Sequence, residues 1–279
     1  MISGDFFGRP TAFLQNDLIR VEYLTHAGPR IVRVFLDGDP ENQLAEMNHK
    51  QIETSEGTFN MMGGHRLWHA PESSPRTYIP DEDGVSLIQR EQEVVLLGPV
   101  EAKTGIQKQI RLELKEGLRG LILHHRLTNF GFWMVELAPW AITQFPLGGE
   151  ARFSVDAPVT SPYLPNRQIT FWSYTRTNDP RLKINDQDVV ISAEAGSPPF
   201  KIGSMNHQGW VSYTRRGWRF EKRFQPQVDR IHPDMNCNTE IYVWDDFIEL
   251  ETLGPIARLA PGESVEHEEV WEWSRTKQS

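Results

Sequence analysis

Apolar and polar side chains alternate with a period of two along most of the chain. The pattern is clear in Ile19-Arg20-Val21-Glu22-Tyr23-Leu24, Ile31-Val32-Arg33-Val34-Phe35, Ile110-Arg111-Leu112-Glu113-Leu114 and Leu121-Ile122-Leu123-His124-His125-Arg126-Leu127. An extended backbone turns successive side chains to opposite faces, so this alternation predicts strands with one buried face. Turn signals separate them: Leu36-Asp37-Gly38-Asp39-Pro40, Lys115-Glu116-Gly117, Asn129-Phe130-Gly131, Leu147-Gly148-Gly149 and Ala260-Pro261-Gly262-Glu263. The best short helical candidate, near Pro40 to Ile52, lacks strong apolar periodicity. Short strands with this punctuation predict an all-β, mainly antiparallel protein. Proline and glycine are scattered with no linker between them, so residues 1–279 are read as a single domain.

Composition narrows the partners. The formal net charge is −9 and no basic run is present, which argues against nucleic acid and anionic membrane and for a small molecule of modest charge. The single cysteine, Cys237, excludes an intramolecular disulfide and a cysteine-based zinc site. The first residues carry no charged-then-apolar leader pattern, and no apolar run approaches the roughly 18 residues a membrane span needs. A soluble, cytoplasmic protein is expected.

One segment breaks the core-strand pattern: Gly63-Gly64-His65-Arg66-Leu67-Trp68-His69-Ala70-Pro71-Glu72. Gly64 permits a sharp turn or a close approach to a ligand, Arg66 offers a planar fork of donors, and Trp68 a flat apolar face. With His65, His69 and Glu72 beside them, these groups suit a polyhydroxylated ring such as a sugar. The alternative is a Gly-Gly turn followed by solvated polar residues. A metal held by His65 and His69 is not expected, because four residues of strand separate them by about 13 Å. His124 and His125 point to opposite faces, so only one can enter a shared cavity.

A second polar concentration runs through Asn238 and Glu240 to Phe247-Ile248-Glu249-Leu250-Glu251. Glu249 and Glu251, two apart, project from one face, and a partly desolvated carboxylate there could serve as a general base. A solvated edge strand is the competing explanation. Among nine tryptophans, Trp68, Trp140 and Trp244 adjoin polar clusters and are candidates for stacking on sugar rings. Arg66 and Arg76 leave room for an acidic or phosphorylated sugar.

Several of these pieces stand in a familiar order. Asn16-Asp17-Leu18-Ile19-Arg20-Val21, Ala27-Gly28-Pro29-Arg30-Ile31, Gly63-Gly64-His65-Arg66, Thr104-Gly105-Ile106-Gln107-Lys108, Leu127-Thr128-Asn129-Phe130-Gly131, Leu137-Ala138-Pro139-Trp140-Ala141, Leu253-Gly254-Pro255 and Leu259-Ala260-Pro261-Gly262-Glu263-Ser264 resemble the galactose mutarotase-like superfamily, in a branch adjacent to the aldose 1-epimerases. The resemblance implies a β-supersandwich with a sugar-sized cleft. It also implies a glutamate base and a histidine acid that open and reclose a sugar ring without metal or organic cofactor. The late glutamate falls on Glu251, with Glu249 as its neighbour. The acid histidine falls in Val135-Glu136-Leu137-Ala138-Pro139-Trp140-Ala141-Ile142-Thr143, which contains none. His65, His69 or His125 would then supply the ring proton. Without such an imidazole the cleft would only bind a sugar, through Arg66, Trp68, Trp140 and Glu251.

Overall fold

The computed structural model describes residues 4–196 and 198–276. Its described residues form two large sheets and one two-stranded hairpin, and every strand pairing is antiparallel. The central run of the first sheet is Arg30–Leu36, His65–Ala70, Val135–Pro146, Phe247–Leu253, Thr239–Trp244 and Phe200–Ser204. The second sheet runs from Leu182–Ile184 through Trp218–Arg223, Ser264–Arg275 and Gly120–Asn129 to Ser86–Gln89. The predicted strands appear with their alternation intact, as in Ile106–Leu114, where every second residue is buried. Among the described residues, helix is confined to one turn at Arg76–Tyr78 and a four-residue turn at Pro233–Asn236. The doubtful segment near Pro40 to Ile52 contributes a strand, Glu46–Thr54, that pairs with Gly57–Gly63.

Apolar side chains from both sheets meet between them, Val34, Leu67 and Ile248 from one against Leu123, Phe153, Phe220 and Trp271 from the other. Removing this area from water is the main force holding the layers together. A second apolar cluster lies on the opposite face of the first sheet, where Trp68, Trp140 and Phe247 pack beneath Met47, Phe59 and Met61 of the hairpin. The Gly63-Gly64 bend makes this possible. Both glycines have positive φ, and a Cβ would stand 2.0 Å from the Ala45 carbonyl oxygen at Gly63 and 2.0 Å from that of Ile31 at Gly64. These glycines admit neighbouring backbone, where the sequence suggested a ligand.

A polar network is enclosed between the sheets. His125 Nδ1 lies 3.1 Å from the His267 carbonyl oxygen, which can only accept. That nitrogen therefore carries the proton, and His125 Nε2 accepts from His65 Nε2–H at 2.8 Å. His65 Nδ1 in turn accepts from the Thr143 hydroxyl at 2.9 Å. His267 Nε2–H donates to Thr252 Oγ1 at 2.7 Å, and that hydroxyl donates to Glu269. Glu269 also accepts from Lys222 Nζ at 2.9 Å and Trp271 Nε1 at 2.7 Å. Donor atoms of His65, His125 and Glu269 lie within 4.8 Å of one another, the spacing of a metal site, but each is already engaged in this network.

Burial lowers all three imidazoles, His65 well below the ordinary histidine value, His125 to about 4 and His267 to about 3, although Glu269 pulls the other way. Released by unfolding, each would take a proton below about pH 6.5. Stability is thus expected to fall as pH drops below that value, and to keep falling until the folded-state values are passed. Calorimetric melting at about pH 7 and about pH 5 checks this, and an unchanged Tm would mean the imidazoles are not neutral in the fold.

Candidate functional site

Strand register decides which side chains leave the core. In His65–Ala70, His65 and Leu67 face the second sheet, so Arg66 and Trp68 face outward. Across the ladder Arg66 pairs with Ile142 and Trp68 with Trp140. Ile142 pairs with Glu251 and Gln144 with Glu249. Glu251 continues to Glu240, and Glu249 to Tyr242, which pairs with Lys201. The alternation of five strands thus gathers polar and aromatic groups on one face. The hairpin and the segment around Glu72 to Tyr78 wall that face into a cleft of about 570 Å³.

The cleft floor is charged and dry. Arg66 Nη2 donates to Glu249 Oε1 at 2.8 Å, and the guanidinium lies 4.1 Å over the Trp68 ring. Gln144 Nε2 donates to the same carboxylate oxygen at 2.9 Å. Burial lifts Glu249 above the usual carboxylate range, with the Glu251 charge adding to it and Arg66 opposing. Deeper still, Lys201 Nζ bonds Glu251 Oε2 at 2.9 Å and Glu240 Oε2 at 2.8 Å. The ammonium sits 4.8 Å from the Trp140 ring and 4.7 Å from that of Trp172. Burial pulls Lys201 down, but Glu240 and Glu251 together lift it well above the ordinary lysine value. Trp140 Nε1 donates to Glu251 Oε2 at 2.6 Å. Glu251 therefore lies beneath Trp140 and Lys201 with no exposed surface, whereas Glu249 lines the cavity.

No protein-family profile and no curated protein sequence matches the chain. Solved structures do. A galactose mutarotase-like protein from Lactobacillus casei superposes with a TM-score of 0.55 at 12% identity, over 95% of this chain and 100% of that one. A galactose mutarotase related enzyme from Lactobacillus acidophilus gives 0.58 at 10% identity, over 96% and 99%. The chain has the galactose mutarotase-like fold. The same fold is matched at a TM-score of 0.68 and 11% identity in a TPR-domain containing protein from Parabacteroides distasonis, over 97% of this chain and 48% of that longer one.

Against the expectations drawn from the residues and from the resemblance, the site divides. Arg66, Trp68, Glu72, Trp140 and Glu249 all line the cleft, as does Trp244 at its rim. Arg66 and the late glutamate pair thus converge from distant parts of the sequence. Glu240 and Glu251 support the floor through Lys201. The histidines do not join them. His65 and His125 are wholly buried between the sheets, committed to Thr143, to each other and to the His267 carbonyl, so neither can protonate a ring in the cleft. The physical reason is parity: Arg66 faces out only because His65 faces in. His69 shares the inward face and lies 3.5 Å from Glu101. His124 is turned the other way, 3.0 Å from Glu268. Asn238 is a clamp, its side chain bonded to both the backbone N–H and the carbonyl of Asn206. Gly64 packs against backbone, and Arg76 and His69 line a separate hollow.

Sequence reasoning missed Lys201, Trp172, Tyr174, Tyr242 and Gln144. Two signals were present. A lysine stands between two apolar residues in Phe200-Lys201-Ile202, and Trp172 and Tyr174 stand two apart earlier in the chain. Neither pattern is specific without the register that brings Lys201 opposite Tyr242.

Truncating Arg66 would strand the Glu249 carboxylate in a dry floor. Arg66→Ala is expected to cost about 3–5 kcal/mol of stability, and adding Glu249→Gln should recover much of it. Denaturant titration of both variants checks this, and a loss under about 1 kcal/mol for Arg66→Ala would show that the pair is well solvated.

Proposed function

We propose that this protein binds a sugar or sugar derivative in the cleft, as a carbohydrate-recognition site. The observation that carries this is the composition of its walls and floor. Flat aromatic faces at Trp68, Trp140, Trp172, Tyr242 and Trp244 surround a fixed charged pair, Arg66 and Glu249. Pyranose rings present apolar C–H faces and a girdle of hydroxyls that both donate and accept. Aromatic rings suit the first, and buried carboxylate and guanidinium groups the second. The proteins of similar fold named mutarotase-like or mutarotase related are consistent with such a ligand, although fold alone does not assign it.

A second reading, anomer interconversion of the aldose 1-epimerase type, is favoured by one feature. Glu249 lines the cavity, with burial lifting its carboxylate above its ordinary value, as suits a general base. The imidazole partner would have to be replaced, since the only histidine lining this cleft is His49, exposed at the rim and paired with Asp246.

Binding is testable with a thermal-shift and tryptophan-fluorescence screen against monosaccharides, uronates and sugar phosphates. A bound sugar should raise Tm and change the emission. Trp244→Ala, at the partly exposed rim, should weaken binding by about 1 kcal/mol or more without unfolding the protein. Failure of every saccharide class to shift either signal would sink the proposal. Turnover is tested separately by NMR exchange between anomers of any sugar that binds. Catalysis by Glu249 requires that Glu249→Gln abolish the exchange, and exchange at the uncatalysed rate in the unaltered protein would leave recognition alone.

A further inference from the structure

The cleft is longer than one sugar. A second hollow of about 490 Å³ adjoins it and shares five lining residues with it: Glu72, Tyr78, Trp140, Trp172 and Lys201. The two are lobes of one groove with the Trp140–Lys201–Trp172 stack at their junction. Ligand cavities of about 300–1,000 Å³ hold molecules of drug size, and a single hexose, with about a dozen heavy atoms, is much smaller than that.

The far lobe is built for a polyhydroxylated group in its own right. Ser73, Ser74 and Asp234 line it beyond the shared residues. Asp234 is held there by unusual backbone: Asp234, Met235 and Asn236 have φ of 50°, 61° and 72°, three successive non-glycine residues in the left-handed region. Such a conformation is costly and persists only where surrounding contacts impose it. Those contacts are present, for Gln168 Nε2 donates to the Met235 carbonyl at 2.9 Å and the His232 N–H to Asn236 Oδ1 at 2.8 Å. At the junction, an ammonium has three donors, and Glu240 and Glu251 occupy two of those of Lys201. These carboxylates hold the ammonium at the junction, where Lys201 lines both lobes.

We propose that the groove takes an oligosaccharide, one unit between Arg66, Glu249 and Tyr242 and the next against Trp172 and Asp234, with Lys201 donating at the linkage between them. This rests on the saccharide reading above and names its substrate class as a glycan of at least two units. A chain spanning both lobes gains the second contact at high effective concentration, so its affinity should exceed that of the isolated unit.

Isothermal titration with the monosaccharide that binds best, its homodisaccharides of different linkage and the trisaccharide provides the test. At least one disaccharide should bind roughly tenfold more tightly than the monosaccharide. Asp234→Gly keeps the left-handed backbone while removing the carboxylate, and should reduce that ratio several-fold. Equal affinities for monosaccharide and all disaccharides would overturn the proposal while leaving the single-sugar reading in place. A disaccharide advantage unchanged in Asp234→Gly would likewise overturn the placement of the second unit. If no saccharide of any length bound, both readings would fall together.

Discussion

The contact between Arg66 and Glu249, 2.8 Å long and spanning 183 positions of sequence, is the interaction around which the cleft is arranged. Neither group could be buried alone, because an isolated charge in a dry environment costs several kcal/mol. Together, and with Gln144 on the carboxylate and Trp68 beneath the guanidinium, they form a floor in which the charged pair is in place before any ligand arrives. The same logic repeats one layer down, where Lys201 gathers Glu240 and Glu251 between two indole rings. Fixed charges of this kind can meet a ligand's hydroxyl groups without reorganising.

The architecture was largely legible in the sequence because period-two alternation is a local signal. Ile19–Leu24 and Gly120–Asn129 can be recognised from their own residues. The tertiary partners of those strands cannot. The site was legible only in part for the same reason. Arg66, Trp68 and Glu249 stand out as polar or aromatic groups in unusual local company, whereas Lys201 becomes notable only when Phe200–Ser204 is laid against Thr239–Trp244. The glutamate that the resemblance pointed to, Glu251, proved to lie one register step below the cavity, under Trp140. The strand in which the resemblance implied a histidine carries none, and its Trp140 indole covers that carboxylate.

The misplaced histidines are informative in another way. His65 and His125 look like reactive groups in the sequence, and in the fold they are structural, joined by His267. Their hydrogen bonds run in one direction from Thr143 through His65 and His125 to the His267 backbone, so each ring has one tautomer that satisfies its neighbours. A core of this type tolerates few alternative packings. It ties the inward face of the first sheet, at His65 and Thr143, to His125 and His267 of the second.

That coupling makes the strand His65–Ala70 a two-sided ruler. Its odd positions are read by the interior and its even positions by the groove, and neither side can be edited independently in length. Deleting or inserting one residue would turn a guanidinium and an indole into the apolar interlayer, and expel an imidazole and a leucine to the outside. A point substitution at the groove leaves this register intact, whereas the number of residues between Gly64 and Pro71 is fixed by both faces at once.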